Sequence, residues 1–371
     1  MTLLLTAEHE ALRDSVRSFL ADRSPQAEVR RLMAAQAGFD RDAWGVMSKE
    51  LGLTGLAIPE RYGGSGFTAV ERGIVLEEMG RSLLCAPFFA TAVLAPALLT
   101  LSGDTEAQQL YLPGIASGEI IATLALSEDP GRWDAGGVSL AAVPSGGRWT
   151  LTGAKSFVLD GMDADVAFVV ARAAGGIGVF AVETGAPGLT RSALPVLDQT
   201  RRLARLGFDR VPGVPVGDLA AGWDLAAAVL DHAAAALAME QVGGAGQVLE
   251  QAVDYAKTRF QFGRAIGSFQ AIKHKCADML VLVEQARAVA YHATETAVSS
   301  PRELRVAASL AKAFCSAAYT RVAGENVQIH GGIGFTWEHP AHLYLKRAKS
   351  SAVLFGDPVY HRDLIGRELD V

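Results

Sequence analysis

The sequence predicts an α+β multidomain chain with an α-helical N-terminal domain, a central antiparallel β domain and a C-terminal helical bundle. Three observations carry this expectation. Up to about residue 120, apolar residues recur at helical spacing with charges between them. Near residue 121 the texture changes to short apolar runs separated by Gly, Asp and Pro, the pattern of a small antiparallel sheet structure. From Ala220 onward the chain returns to long helical stretches with short connections, which read as a bundle. The boundaries fall at residues 1–120, 121–218 and 219–371, in keeping with the two or three domains that a chain of 371 residues suggests.

Taken in order, Ala7 to Leu20 has the helical spacing, and Trp44, Val46, Met47 and Leu51 continue it. Pro59 to Gly66 is a loop, because its three glycines break any helix, and a helix follows from Ala69 to Gly80. Ser82 to Gly103 is a run of 22 uncharged residues, long enough to cross a bilayer. Pro87 and Pro96 interrupt it, each removing a helical donor, so it reads as one or two short buried helices. The β block comprises Ile121–Leu126, Val138–Val143, Trp149–Thr152, Ala167–Ala171 and Ile177–Val182, and ends near Gly217. Long helices then cover Trp223 to Thr258 and Ser268 to Ala297. Ser300, Pro301 and Glu303 read as a capped helix start, opening a helix to about Gln328, and a short final helix spans Pro340 to Ala352.

Half of the residues are apolar, which permits a large core and excludes global disorder. A net charge of −6 argues against a nucleic-acid protein. Cys85, Cys276 and Cys315 are too few and too scattered for a disulfide framework, which fits a reducing cytoplasm. The N-terminus reaches Glu8 and Glu10 without a basic segment or a long apolar run, so no signal peptide and no membrane insertion are expected. The glycine clusters at 175–178, 243–246 and 331–334 do not complete a dinucleotide fingerprint in a strand–turn–helix setting. The histidines lack a ligand spacing with a third partner, and Asp160, Asp163 and Asp165 do not complete a calcium loop. No metal is expected, and the three aspartates read as a polar turn.

Three stretches together resemble the acyl-CoA dehydrogenase family of flavoproteins. They are YAKTRFQFGRAIGSFQAIKHKCADM at 255–279, QIHGGIGF at 328–335 followed by Trp337 to Pro340, and IPERYGGSG at 58–66. They occur in the family's order, and the helix–sheet–helix layout matches along essentially the whole chain. The resemblance implies an N-terminal α domain and a C-terminal four-helix bundle flanking a central β domain, with FAD between the β domain and the bundle. It implies removal of two hydrogens from Cα and Cβ of an acyl-CoA thioester, with electrons leaving through an electron-transferring flavoprotein. It also implies an oligomer, with a dimer as the least unit that completes the FAD site and a tetramer as the commoner arrangement.

Residue by residue, Arg259 and Phe262 match the family's RxxFG, where the arginine serves the FAD pyrophosphate of the partner subunit and the aromatic packs by the cofactor. A planar guanidinium suits that task because it holds two phosphate oxygens at once. Gln328, Gly331 and Gly332 match the turn that receives the FAD diphosphate, where bare glycines admit phosphate to the backbone N–H groups. A helix C-cap is the other reading of those glycines. Ser127 keeps a hydroxyl at the threonine of a Thr-Glu-Pro loop beside the flavin, whereas Arg132-Trp133-Asp134 departs from the Gly-Ser-Asp that follows it. Phe157 stands for a tryptophan that covers the flavin, or is an ordinary strand residue. Leu159 stands for a threonine that hydrogen-bonds flavin N5, which leucine cannot do.

The catalytic base is the main departure. The glutamate of the best-known branch falls at Phe355, and the position used by a second branch falls at Ala233. Two carboxylates remain as candidates. Asp357 lies two residues beyond Phe355, at the family's threonine position. Glu240 lies two helical turns beyond Ala233 among Leu237, Ala238, Met239 and Val242, where burial would raise its pKa, or where it pairs with an arginine such as Arg287. The missing glutamate keeps a second function open, a half-site subunit that shares its site with a same-fold partner. A third is a flavin oxidase or monooxygenase of the same fold. Ala233 to Ala236 and Ala238 leave room for a bulky acyl chain, including a sterol-like one, or simply let helices pack closely.

Overall fold

A computed structural model of the protein describes residues 5–146 and 148–370. Its helices are α1 (Ala7–Arg23), α2 (Gln26–Ala34), α3 (Arg41–Gly45), α4 (Ala69–Ser82), α5 (Ala95–Ser102), α6 (Thr105–Ala116), α7 (Gly222–Thr258), α8 (Gln270–Ser299), α9 (Leu304–His330), α10 (Ala341–Val353) and α11 (Pro358–Glu368). Its strands are β1 (Ala122–Ala125), β2 (Ala141–Ser145), β3 (Arg148–Leu159), β4 (Val166–Ala173), β5 (Gly176–Glu183), β6 (Leu189–Ala193), β7 (Leu203–Val216), β8 (Phe260–Gln261) and β9 (Arg264–Ala265). The chain divides into two compact units: residues 1–31, 69–84 and 234–371 form one, and residues 32–68 and 85–233 the other.

The first unit is helical. Thr6 opens α1 with a capping box shared with His9. α4 is buried from Arg72 to Gly80, and it approaches α7 closely. A Cβ at Gly80 would lie 2.0 Å from the Glu240 carbonyl oxygen, and one at Gly243 only 1.7 Å from that of Glu77. The glycines of 243–246 thus serve helix packing, as their setting inside a helical stretch implies. The helix start expected at Ser300 forms differently. The Ser300 side chain makes no cap; its N–H returns to the Thr296 carbonyl to end α8, and a short 3₁₀ turn at Pro301–Glu303 leads into α9. The expected final helix is α10, and a further helix, α11, follows it. Asp357 caps α11 and Pro358 fills its first position, which is a helix-start signal in the sequence.

In the second unit, the uncharged segment at 82–103 becomes a buried turn at Phe89–Leu94 that runs on into α5, with Pro96 in the first turn of α5 where its missing donor costs nothing. Among the described residues, α7 is the helix long and apolar enough to cross a membrane, and most of its apolar stretch is buried in the protein. β1 to β7 form one sheet of order β1-β4-β2-β3-β7-β5, with β6 on β7 and β4 also pairing β5, so that the sheet closes on itself. β6 and β7 extend the β block beyond the five expected runs. Most pairings are antiparallel, but β1 pairs β4 in parallel. The closed sheet is filled by Leu151, Val169, Phe180, Leu206 and Val211, each fully buried.

Candidate functional site

The first unit brings two of the recognised stretches together. α7 ends at Thr258, and Arg259 leads into the β8–β9 hairpin, whose turn is Phe262-Gly263. Both turn residues have positive φ, 53° and 78°, the backbone of a type I′ hairpin. For a phenylalanine that conformation is strained, and the ring is 92% exposed. Arg259 is exposed and forms no ion pair among the described residues. One helical turn before it, Tyr255 stacks on His330 with ring centroids 4.2 Å apart. His330 immediately precedes Gly331, so the stack sets the start of the hairpin beside the glycine turn.

That turn, Gly331–Phe335, is held from behind. His330 Nδ1 lies 2.9 Å from the Asn326 carbonyl oxygen, and the His339 ring packs 4.2 Å from the His330 ring. Burial lowers the pKa of both histidines. His342 follows, pushed down to about 4 by burial first and by Lys346 next. Gly331 has φ 64° and ψ −143°, a conformation open essentially to glycine alone, and it also forms the C-cap of α9. The C-cap reading of this turn is therefore met by Gly331. A Cβ on Gly332 would meet nothing within 4 Å, so bare backbone faces open space there. Gln328 is exposed and lines a groove of about 690 Å³ with Lys275, Thr320, Arg321, Ala352 and Pro358. Glu325 bridges the two cations of that groove, Lys275 and Arg321.

The loop from Leu354 to Asp357 carries Phe355, the residue that the resemblance sets at the family's glutamate position. Phe355 there is buried with φ 61°. Its carbonyl oxygen lies 3.1 Å from His361 Nε2, and the fully buried Lys312 donates to the carbonyls of Gly356 at 2.9 Å and Ala352 at 3.1 Å. Asp357 is exposed and accepts at Oδ1 from the backbone N–H groups of Val359 and Tyr360. Glu240 is buried, as the apolar residues around it predict. Its partner is Arg347 at 2.7 Å, however, while Arg287 pairs with Glu77. Glu77 draws Arg287 of α8 to α4, a contact that no spacing within α7 reveals. Ala233 is fully buried.

In the second unit, β3 carries a bulge. Lys155 opposes Leu206 and Val158 opposes Ala204, so Ser156 and Phe157 together face Arg205. Phe157 takes φ 58° and its ring stays 42% exposed, whereas Val158 and Leu159 are buried. The bulge re-aims Phe157 out of the sheet, so it is not an ordinary strand core residue. Ser127 is buried; its carbonyl accepts from the Ser156 N–H at 2.9 Å. Leu159 offers its carbonyl to Thr123 Oγ1.

Sequence reasoning missed a buried pair beneath this surface. Lys155 Nζ lies 2.8 Å from Glu128 Oε1 and also donates to the Leu126 carbonyl. Glu128 accepts from the N–H groups of Ser139 and Leu140. Burial raises the Glu128 pKa, but the Leu140 N–H, Lys155 and Ser139 outweigh it and hold the carboxyl down at about 2. The pair ties the Ser127 loop to the bulge that carries Phe157. Glu128 adjoins Ser127 and Lys155 lies two residues before Phe157, and a charged residue of each sign beside those two β-domain positions is the signal that could have found them.

Comparison with known proteins matches this layout along its length. The acyl-CoA dehydrogenase N-terminal domain model matches residues 6–119, the middle domain 123–211 and the C-terminal domain 220–369. The chain is 35% identical over 354 residues to the acyl-CoA dehydrogenase IpdE2 of Mycolicibacterium smegmatis, covering 95% of this chain and 96% of that protein. A chain of the ChsE4–ChsE5 complex from Mycobacterium tuberculosis superposes with a TM-score of 0.91 at 29% identity, over 100% of this chain and 99% of that one. Butyryl-CoA dehydrogenase from Megasphaera elsdenii gives a TM-score of 0.93 at 26% identity over the whole of both chains. The chain belongs to the acyl-CoA dehydrogenase family and is an oxidoreductase flavoprotein of that class. The family indicates FAD as its cofactor.

Proposed function

We propose that this chain catalyses FAD-dependent α,β-dehydrogenation of an acyl-CoA thioester to the trans-2-enoyl-CoA and passes electrons to an electron-transferring flavoprotein. The observation that carries the reading is the Tyr255–His330 stack, which sets Arg259 and the bare glycine turn side by side in one chain. These groups fit a flavin dinucleotide. Arg259 forms no ion pair among the described residues, Gly332 leaves its backbone open, and Phe262 presents an aromatic ring that meets Phe269 edge-on and is otherwise exposed. Arg259, Gln328, Gly331 and Gly332 would take the phosphates, with Phe262 packing beside them; Ser127 and Phe157 would meet the ring system. Bound FAD supplies the two-electron acceptor for the hydride from Cβ.

The rest falls to the protein. An α proton beside a thioester is only weakly acidic, so its removal needs a positioned carboxylate and donors aimed at the enolate-like oxygen. We assign Asp357 as the first candidate base, because its cap uses Oδ1 alone and leaves Oδ2 available. Glu240 is the second, with Oε1 already committed to Arg347.

A second reading is favoured by Phe355 and Leu159, two buried apolar side chains where the family resemblance places a glutamate and a threonine. On that reading this chain is a half-site subunit completed by a same-fold partner, and the relative in the ChsE4–ChsE5 complex is itself one chain of a two-protein assembly. One experiment separates the readings: the visible spectrum of the chain expressed alone, followed by anaerobic titration with short, long and steroidal acyl-CoAs. Bleaching of a yellow protein supports the dehydrogenase. A colourless or inert protein that gains flavin and turnover on co-expression with a partner supports the half-site. Peroxide formed without an external acceptor would favour an oxidase instead.

A further inference from the structure

α9 buries mostly small side chains, among them Ala308, Ala311, Cys315 and Ala318, yet Lys312 in their midst is fully buried. Taking an ammonium out of water costs several kcal/mol, which an alanine or leucine at the same place would not incur. Its donors show what the charge serves. Nζ donates to the Ser316 hydroxyl at 3.2 Å, the Ala352 carbonyl at 3.1 Å and the Gly356 carbonyl at 2.9 Å. Ala352 lies in the last turn of α10, where carbonyls lack helical partners and a cation is favoured. The Gly356 carbonyl belongs to the planar peptide that joins Gly356 to Asp357, so Lys312 grips the unit directly before the Asp357 Cα.

His361 of α11 holds the same loop. Burial first, and Lys312 next, lower its pKa to about 4, so the imidazole is neutral near pH 7. Nε2–H then donates to the Phe355 carbonyl at 3.1 Å, and Nδ1 accepts from the Ser309 hydroxyl at 3.2 Å. The His361 N–H donates to the Asp357 carbonyl, also at 3.1 Å. Between these grips Phe355 and Gly356 run through positive φ, 61° and 103°. Such backbone persists only where its surroundings over-determine it. The loop's carbonyls thus meet buried donors, while Asp357 stands exposed at the start of α11.

We infer that Lys312 is a positioning residue for the dehydrogenation, acting through the Gly356–Asp357 peptide to fix where the Asp357 carboxylate stands. The inference rests on the acyl-CoA reading above, with Asp357 as base. The test follows anaerobic flavin reduction by butyryl-, octanoyl- and steroidal acyl-CoA in the FAD-loaded full chain, with calorimetric binding of the same thioesters. Lys312→Met should hold thioester affinity within about threefold and slow reduction ~10-fold or more, as misplacing a reacting group does. Lys312→Gln keeps amide donors and should fall between parent and methionine variant; it also carries the comparison should the latter fold poorly. Lys312→Met combined with Asp357→Asn should be no slower than Asp357→Asn alone, since both changes remove one function. Hydrogen exchange of the flavin-free chain gives a readout apart from turnover: the Val359 and Tyr360 N–H groups, capped by Asp357, should exchange faster in Lys312→Met. Reduction at the parent rate by both single variants, a double variant slowed by the product of the two losses, or unchanged exchange overturns the inference and leaves the acyl-CoA reading standing. A parent protein that none of these thioesters reduces overturns both.

Discussion

Tyr255 and His330 stack face to face at 4.2 Å, and through this contact the last turn of α7 and the glycine turn after α9 become one surface. His330, His339 and His342 all sit behind that surface with pKa values lowered chiefly by burial. A histidine whose folded pKa lies below its unfolded value of 6.5 contributes stability that is present above pH 6.5 and lost as pH falls through the folded value. Flavin retention should therefore decline as pH falls from about 6.5 toward 4, as followed by the rise of free-flavin fluorescence. Tyr255→Ala should release flavin at neutral pH; a variant that retains flavin as the parent does would break the link between the stack and the cofactor.

The two adjacent glycines answer to different constraints. Gly331→Ala forces a Cβ into a conformation reserved for glycine and should cost about 1–3 kcal/mol of stability. Gly332→Ala meets no atom within 4 Å, so thermal stability should change by less than about 0.5 kcal/mol while FAD affinity drops. Paired melting curves and flavin titrations separate the two effects.

Asp357 combines a cap with a proposed catalytic role. Asp357→Ala should cost about 1 kcal/mol through the lost cap, whereas Asp357→Asn keeps an acceptor for the same N–H groups and costs little. Both should abolish anaerobic flavin reduction by acyl-CoA. Reduction by the asparagine variant at the parent rate would remove Asp357 from the mechanism, and Glu240→Gln would then be the variant to assay.

The Lys155–Glu128 pair links the Ser127 loop to the Phe157 bulge. Glu128 is held below its ordinary 4.5, at about 2, so its contribution is complete above pH 4.5 and is lost as pH falls toward 2. Lys155→Met strands a buried carboxylate and should destabilise the β unit by roughly 3–5 kcal/mol. Circular dichroism across an acid titration of parent and variant checks both statements: the variant should lose the parent's transition in that window.

Much of the architecture was legible because long periodic elements announce themselves. α7, α8 and α9 are long stretches whose burial pattern repeats at the helical period, and the β block is marked by its punctuation. Short elements were harder. α11 carries the start signal Asp357-Pro358 but little apolar periodicity, because of its 11 residues it buries only His361. Ser300 had the residues of a cap but not the backbone for one, since its N–H closes the previous helix. Of the site, the motif residues Arg259, Phe262, Gln328 and Gly331 could be named, but the ring stack that joins them could not. Tyr255 and His330 lie 75 positions apart, and no local pattern links them.

The sequence by itself determined the family, the order of helices, sheet and bundle, and the residues that resemble a flavin-binding set, because periodicity and motif spacing are properties of the chain. Only the tertiary structure decided who pairs with whom. Glu240 went to Arg347 and Glu77 to Arg287, Phe157 was turned outward by a bulge, and the Arg72 Nε was left buried with no acceptor among the described residues. Those outcomes depend on which helix faces meet and on how water is excluded between them, and burial sets the cost of every charge it encloses.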